Sequence, residues 1–244
     1  MTDLRGQVAV VTGGARRLGR ATVLALANHG MHVVVHYRHS AADAAATVTA
    51  ARAAGVEALA LHADATHPGD VDALLEQTLR TFGRVDALVT SAGAFRRTPL
   101  ASLTDADWRD MLADNLEATF VPARRFGLHM RDHGGGAIVT FADVAALRPW
   151  AEYAPYCAAK AGVVALTYAL AKELAPTVRV NAIAPGPVLF PDDFDAEARA
   201  REIGRTLLRR AGEPEHVADA VVTLLRNDYI TGVILPVDGG RLLA

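Results

Sequence analysis

The chain has 244 residues, 51% of them apolar, and a formal net charge of −2, which suits one large α/β domain and gives no reason to expect nucleic acid or an anionic membrane as partner. Its single Cys157 excludes an internal disulfide and a cysteine-built metal site, and reads as a small packing residue. No apolar run approaches the ~18 residues of a membrane span, and residues 1–12 lack the pattern of a signal peptide, so a soluble cytoplasmic protein is expected.

Gln7–Thr12 is a short β-branched run and reads as a buried strand. It enters the glycine turn Gly13-Gly14-Ala15-Arg16-Arg17-Leu18-Gly19 and then an Ala/Leu-rich helix, Arg20–His29. Strand, glycine turn and helix together suit a phosphate: glycine lets backbone approach, and the helix N-terminus supplies free N–H groups. A second strand, Met31–Tyr37, ends in Arg38-His39-Ser40. In a dinucleotide fold this point meets the adenosine ribose, where an acid would select NAD. No acid occurs until Asp43, while Arg38, His39 and Ser40 match a 2′-phosphate, so NADP(H) is the expected cofactor.

Ala41–Ala54 reads as a helix closed by Gly55, and Glu57–His62 as the third strand, with Asp64-Ala65 at its exit. Asp64 accepts from the adenine amino group or caps the next helix. Asp70–Phe82 is helical, and Asp86–Thr90 is a strand opening into Ser91-Ala92-Gly93-Ala94-Phe95. Thr104 begins a long helix to about Met130, with Asp107 placed for a capping box. Asn115 interrupts its apolar face, either as a surface amide or as a buried amide with a specific partner. Ala137–Phe141 is the fifth strand, and Asp143 follows at its carboxyl end. Tyr156 and Lys160 are four apart, hence on one face of a helix running to about Ala175. An ammonium beside a phenol favours the phenolate, so the pair suits proton transfer near neutral pH. Val178–Ala184 is the sixth strand, ending in Pro185-Gly186-Pro187. Residues 188–212 lack periodicity and suit a substrate lid. Glu215–Arg226 is a helix and Gly232–Pro236 a final strand. The alternation predicts a single-domain Rossmann fold over residues 1–244, a doubly wound parallel sheet of about seven strands with helices on both faces.

These residues resemble the classical short-chain dehydrogenase/reductase family across essentially the whole chain. Thr12–Gly19 is similar to its T-G-x-x-x-G-x-G turn, with Arg17 at the middle glycine. Asn115 matches the family's catalytic asparagine, Tyr156 and Lys160 its Y-x-x-x-K, Asn181–Gly186 its nicotinamide-side segment, and Asp238–Gly240 its C-terminal signature. Asp143 stands where the family normally carries a serine. That aspartate, Arg17, the stretch His36–Ser40 and Phe95 together resemble the pteridine reductase and dihydromonapterin reductase subgroup. The resemblance implies cofactor contacts at Gly13, Arg16, Arg17, Leu18 and Gly19, and at His36, Tyr37, Arg38, His39 and Ser40. It implies further ones at Asp64, Ala65, Ser91, Ala92 and Gly93, and at Tyr156, Lys160, Pro185, Gly186 and Val188. It implies substrate contacts at Arg17, Phe95, Asp143 and Tyr156, no metal, and a homotetramer in which Arg241–Ala244 approaches a neighbouring subunit.

An ionised Asp143 accepts hydrogen bonds only, which disfavours an alkoxide-like transition state and suits reduction of a pterin C=N, whose nitrogen needs a proton. The expected activity is therefore NADPH-dependent reduction of a dihydropterin- or dihydrofolate-type substrate. Tyr156 donates the proton, Lys160 lowers its pKa, Asp143 tunes it, and Asn115 orders a relay water. The alternatives are a carbonyl reductase of the 3-oxoacyl or sugar type on the same fold, and a non-catalytic NADP(H) sensor.

Overall fold

The strand-like runs become seven parallel strands in the computed structural model, which describes residues 1–191 and 194–244. They are β1 (Val8–Thr12), β2 (His32–Tyr37), β3 (Ala58–His62), β4 (Ala87–Thr90), β5 (Gly136–Phe141), β6 (Val178–Pro185) and β7 (Ile234–Val237). Their spatial order is β3-β2-β1-β4-β5-β6-β7, and each neighbouring pair is parallel. Parallel neighbours need crossovers, supplied by α1 (Arg17–Asn28), α2 (Ala41–Arg52), α3 (Pro68–Phe82), α4 (Asp105–Leu112), α5 (Ala118–Asp132), α6 (Ala154–Glu173), α7 (Ala196–Gly204) and α8 (Pro214–Arg226).

The strands read as continuous apolar runs because helices bury both faces. Ala9, Val11, Val33 and Val35 share one core layer with Leu26 of α1, Val48 of α2 and Val221 of α8. Val10, Val34, Leu88 and Ile138 point the other way, into a layer with Leu74 of α3, Phe126 of α5 and Leu170 of α6. Phe126 has no exposed surface, so its truncation to alanine costs about 3–5 kcal/mol.

Three departures from the sequence reading exceed a shift of one or two residues at an element's end. The first helix starts at Arg17 rather than Arg20, because Gly19 is buried against the turn: a Cβ there would lie 2.2 Å from the Gly13 carbonyl oxygen. The long helix from Thr104 is not uniform: α4 and α5 are joined by a π-helical segment, Ala113–Glu117. Pro122 lies one turn on and has no N–H for the Ala118 carbonyl, so the regular ladder is interrupted here. Thr104 and Asp107 do form the capping box, with N–H bonds of 3.1 and 3.0 Å. In the 188–212 segment, α7 is capped by Asp195, whose carboxylate accepts from the Ala198 N–H at 2.7 Å. Residues 192 and 193 of that segment lie outside the described residues. By length and composition α6 is apolar enough to cross a membrane, which the sequence reading did not anticipate, but it packs against β6 and half of that stretch is buried in the fold.

Candidate active site

The sheet order reverses between β1 and β4, and the crevice outside their carboxyl ends is where such sheets bind ligands. A cleft of about 930 Å³ opens there, and every site residue expected from the sequence lines it. Two close approaches build it. Gly13 has a φ of 64°, and a Cβ on it would sit 2.9 Å from the Ala92 Cα. The Gly13 N–H donates to His36 Nδ1 at 3.1 Å, and His36 Nε2 bonds the Ala63 carbonyl at 3.0 Å, so Nε2 carries the proton. Burial pushes the His36 pKa down to about 4, keeping the ring neutral. The sequence reading gave His36 a direct cofactor contact. His36 lines the cleft, but its ring is 2% exposed and holds the turn in place.

At the end of β2, Arg38 is not the unopposed cation the sequence suggested. Its guanidinium lies 3.7 Å from Asp64 and 3.3 Å from Asp114, and its Nε–H donates to His39 Nε2 at 3.0 Å. Asp114 is 76 residues away in sequence, and nothing local announces the contact. Both pairs are solvent-exposed and therefore weak, so a doubly charged phosphate is the stronger partner. Arg16 pairs with Asp43 at 3.7 Å. Arg17 adopts a φ of 51°, the left-handed region favoured by the glycine it replaces. Its Nη2 donates to the Leu189 carbonyl at 2.8 Å, so it ties the glycine turn to the opposite wall.

Asp143, Tyr156, Lys160 and Asn115 meet at the cleft floor. Asp143 does two things at once: Oδ1 accepts from the Ala145 N–H, capping a short 3-10 turn at 144–146, and Oδ2 accepts from the Tyr156 hydroxyl, both at 2.7 Å. Burial pushes the Asp143 carboxyl upward. Burial, followed by the Asp143 charge, pushes the Tyr156 phenol well above its ordinary range. This reverses the expectation that Lys160 would lower it. Lys160 Nζ is 5.8 Å from the Tyr156 ring centre and donates to the Phe141 carbonyl at 2.8 Å, while burial lowers its own pKa to about 8. Tyr156 is thus held as a protonated donor. Thr140 turns away from the cleft to Thr167, 2.8 Å distant, so Asp143 alone occupies the serine position. Asn115 is buried in the π-helical segment and donates to the Ala94 and Met111 carbonyls at 3.0 and 3.1 Å. Its Oδ1 would lie 2.8 Å from a Cβ on Gly93, which explains the glycine there.

Phe95 is 38% exposed and belongs to an aromatic wall that the sequence reading missed. It stacks on Tyr153 at 4.8 Å and 17° and meets the edges of Tyr156 and Trp150 at 5.0 and 6.3 Å. Trp150 Nε1 is buried with no partner among the described residues. The run of Trp150, Tyr153 and Tyr156 at three-residue intervals was the available signal. Glu202, Arg205 and Arg241 also line the cleft. Arg241 is buried in its own chain rather than projecting outward, and Arg148 bonds the Arg241 and Ala244 carbonyls. The bare glycine turn at the N-terminus of α1, with Arg38 and His39 at the far end, fits a dinucleotide bearing a 2′-phosphate.

A family model described as enoyl-(acyl carrier protein) reductase matches residues 13–241. A 3-oxoacyl-[acyl-carrier-protein] reductase of Synechocystis sp. is 40% identical over 248 residues, spanning 100% of both chains. Among solved structures, one assigned as a short-chain alcohol dehydrogenase from Sinorhizobium meliloti superposes with a TM-score of 0.95 at 32% identity, covering 99% of this chain and 98% of that one. A blue fluorescent protein from a metagenomic library, in complex with NADPH, gives 0.91 at 32% identity over 98% and 99% of the two chains.

Proposed function

Since the chain belongs to the classical short-chain dehydrogenase/reductase family of NAD(P)-dependent oxidoreductases, we propose that it is an NADPH-dependent reductase of a small carbonyl compound of the 3-oxoacyl type. The cofactor is NADP(H), consistent with Arg38 at the end of β2 and with the NADPH complex among the similar structures. The observation that carries the reading is the Tyr156 hydroxyl, kept protonated at the cleft floor. Kinship with a 3-oxoacyl reductase favours oxygen as the atom that receives the proton.

When bound, NADPH supplies the hydride. Gly13, Gly19 and the N-terminus of α1 hold its phosphates, Arg38 and His39 its 2′-phosphate, and Lys160 its nicotinamide ribose. Phe95 and Trp150 hold the substrate over the floor and exclude water. Tyr156 gives its hydroxyl proton to the substrate oxygen. Asp143 must be in its acid form for this step, because a carboxylate beside a developing alkoxide opposes it. Burial pushes the Asp143 carboxyl toward that form. Residues 188–191 and 194–212 act as a lid, and the exposed Trp108, Phe120 and Tyr168 of α4, α5 and α6 suit a homotetramer.

A second reading rests on the Asp143–Tyr156 bond: reduction of a C=N in a pterin, with Arg17, Phe95, Asp143 and Tyr156 around the substrate. The carboxyl then shares the proton destined for a ring nitrogen. NADPH oxidation with acetoacetyl thioester and with dihydrobiopterin separates the two. In the carbonyl reading Asp143→Ser keeps thioester turnover or raises it. In the pterin reading the same change costs dihydropterin turnover about 100-fold or more. Turnover of the dihydropterin alone by the unaltered enzyme overturns the carbonyl reading.

A further inference from the structure

On the β6–β7 side, the cleft carries a charged group that proton transfer does not use. Arg241 follows a turn closed by Asp238, which accepts from the Gly240 and Leu242 N–H groups at 2.9 Å. The Arg241 side chain is 6% exposed, yet it lines the cleft. Its Nη2 lies 3.3 Å from Glu202 Oε2, and its Nε is sealed from solvent with no partner among the described residues. Glu202 is itself shared, because its Oε1 is 2.7 Å from Arg205 Nη1. Two guanidinium groups thus face one carboxylate, which leaves a positive charge in excess.

A guanidinium removed from water is costly unless its N–H groups are paired. The fold places such a group at the wall of an open cleft, half-matched by an acid that another cation also holds. Arg38 and His39 follow β2, near one edge of the sheet, whereas Arg241 follows β7 at the other edge. The excess charge therefore lies away from the cofactor's 2′-phosphate, on the side where Pro185-Gly186-Pro187 leads into α7.

We propose that Arg241, assisted by Arg205, binds a carboxylate or phosphate group carried by the substrate, so that the enzyme selects anionic over neutral carbonyl compounds. This rests on the reductase reading above. The planar fork of a guanidinium takes an oxyanion through two parallel N–H bonds. Glu202 occupies part of that fork and competes with the substrate anion. Its removal must therefore tighten anion binding, whereas a purely structural ion-pair cluster would weaken whichever member is removed.

Two pairs of probes share the same keto group. Acetoacetyl-N-acetylcysteamine against acetoacetyl-coenzyme A reports on phosphate, and ethyl acetoacetate against the monoethyl ester of 3-oxoglutarate reports on carboxylate. In the unaltered enzyme, the anionic member of at least one pair is expected to have a kcat/KM about ten-fold higher, carried mainly by KM. Arg241→Gln should bring that ratio close to one, and Glu202→Gln should raise it. Calorimetric titration of inorganic phosphate and of glutarate into the NADP+-loaded protein gives a second readout. Affinity should fall about ten-fold in Arg241→Gln, fall less in Arg241→Lys, and rise in Glu202→Gln. The subsite is overturned if Glu202→Gln weakens anion binding, or if neutral and anionic members are used equally by the unaltered enzyme. If no carbonyl compound is reduced but the titrations follow the expected order, the anion subsite stands and the carbonyl reading falls. Should Arg241→Gln not fold, Arg241→Lys and Glu202→Gln decide the question.

Discussion

Two side chains, His36 and Tyr156, have chemistry set by neighbours that sequence distance hides. His36 is held neutral by burial, with a pKa near 4 against an ordinary 6.5. As pH falls, the unfolded chain takes up this proton first. Stability from His36 is therefore complete above pH 6.5 and declines toward pH 4, reaching a loss of about 3 kcal/mol. Urea unfolding should register about 2 kcal/mol of this between pH 7 and 5. His36→Gln should flatten that part of the slope, and an unchanged slope in the variant would refute the assignment. The spacing of Tyr156 and Lys160 was legible in the sequence, as was the position of Asp143. The direction of the Tyr156 shift was not. It depends first on burial of the phenol and then on the Asp143 carboxyl lying 2.7 Å from it, while Lys160 gives its hydrogen bond to the Phe141 carbonyl. These are matters of packing and side-chain reach that residue spacing does not encode.

At the level of elements, the strands were the most legible part, because burial on both faces of β1, β2, β4 and β5 leaves near-continuous apolar runs. Helix starts were less so. Apolar periodicity locates a helix's buried stripe, but α1 begins where Gly19 packs under the Gly13 carbonyl, a contact between backbones. Gly19→Ala tests that contact. A Cβ at 2.2 Å from a backbone oxygen forces the turn to shift, at a cost of about 3 kcal/mol. In a chain of this size that lowers Tm by roughly 6–12 °C. Fluorescence titration should show NADPH affinity falling with it; unchanged affinity and Tm would mean that the turn is not close-packed. The π-helical segment escaped the sequence reading for a related reason. Trp108, Met111 and Leu112 keep helical spacing up to it, and only Pro122 betrays the break. The segment sets Asn115 inward against the Met111 and Ala94 carbonyls while its neighbour Asp114 turns out to Arg38, so one short irregularity serves both ends of the cleft.

For the whole molecule, cofactor choice is readable as a stability difference. At a free concentration a hundred times its Kd, NADPH adds about 2.7 kcal/mol to the folded state. That raises Tm by roughly 5–10 °C. NADH at the same concentration should give a much smaller shift, and Arg38→Asp should abolish the NADPH advantage; equal shifts from both nucleotides in the unaltered protein would remove Arg38 from its assigned role. The sheet order has one more consequence. The residues assigned to the adenosine end, Gly13 through Gly93, precede the exposed turn around Leu100, whereas Asn115, Asp143, Tyr156, Lys160 and Arg241 follow it. The 2′-phosphate site and the proton-transfer residues thus lie on consecutive stretches of chain, with Phe95 and Lys160 each reaching across that division. A crossover between homologous genes at that turn would exchange Asn115, Asp143, Tyr156, Lys160 and Arg241 together, giving inheritance a way to change the reaction while keeping the residues that choose the nucleotide.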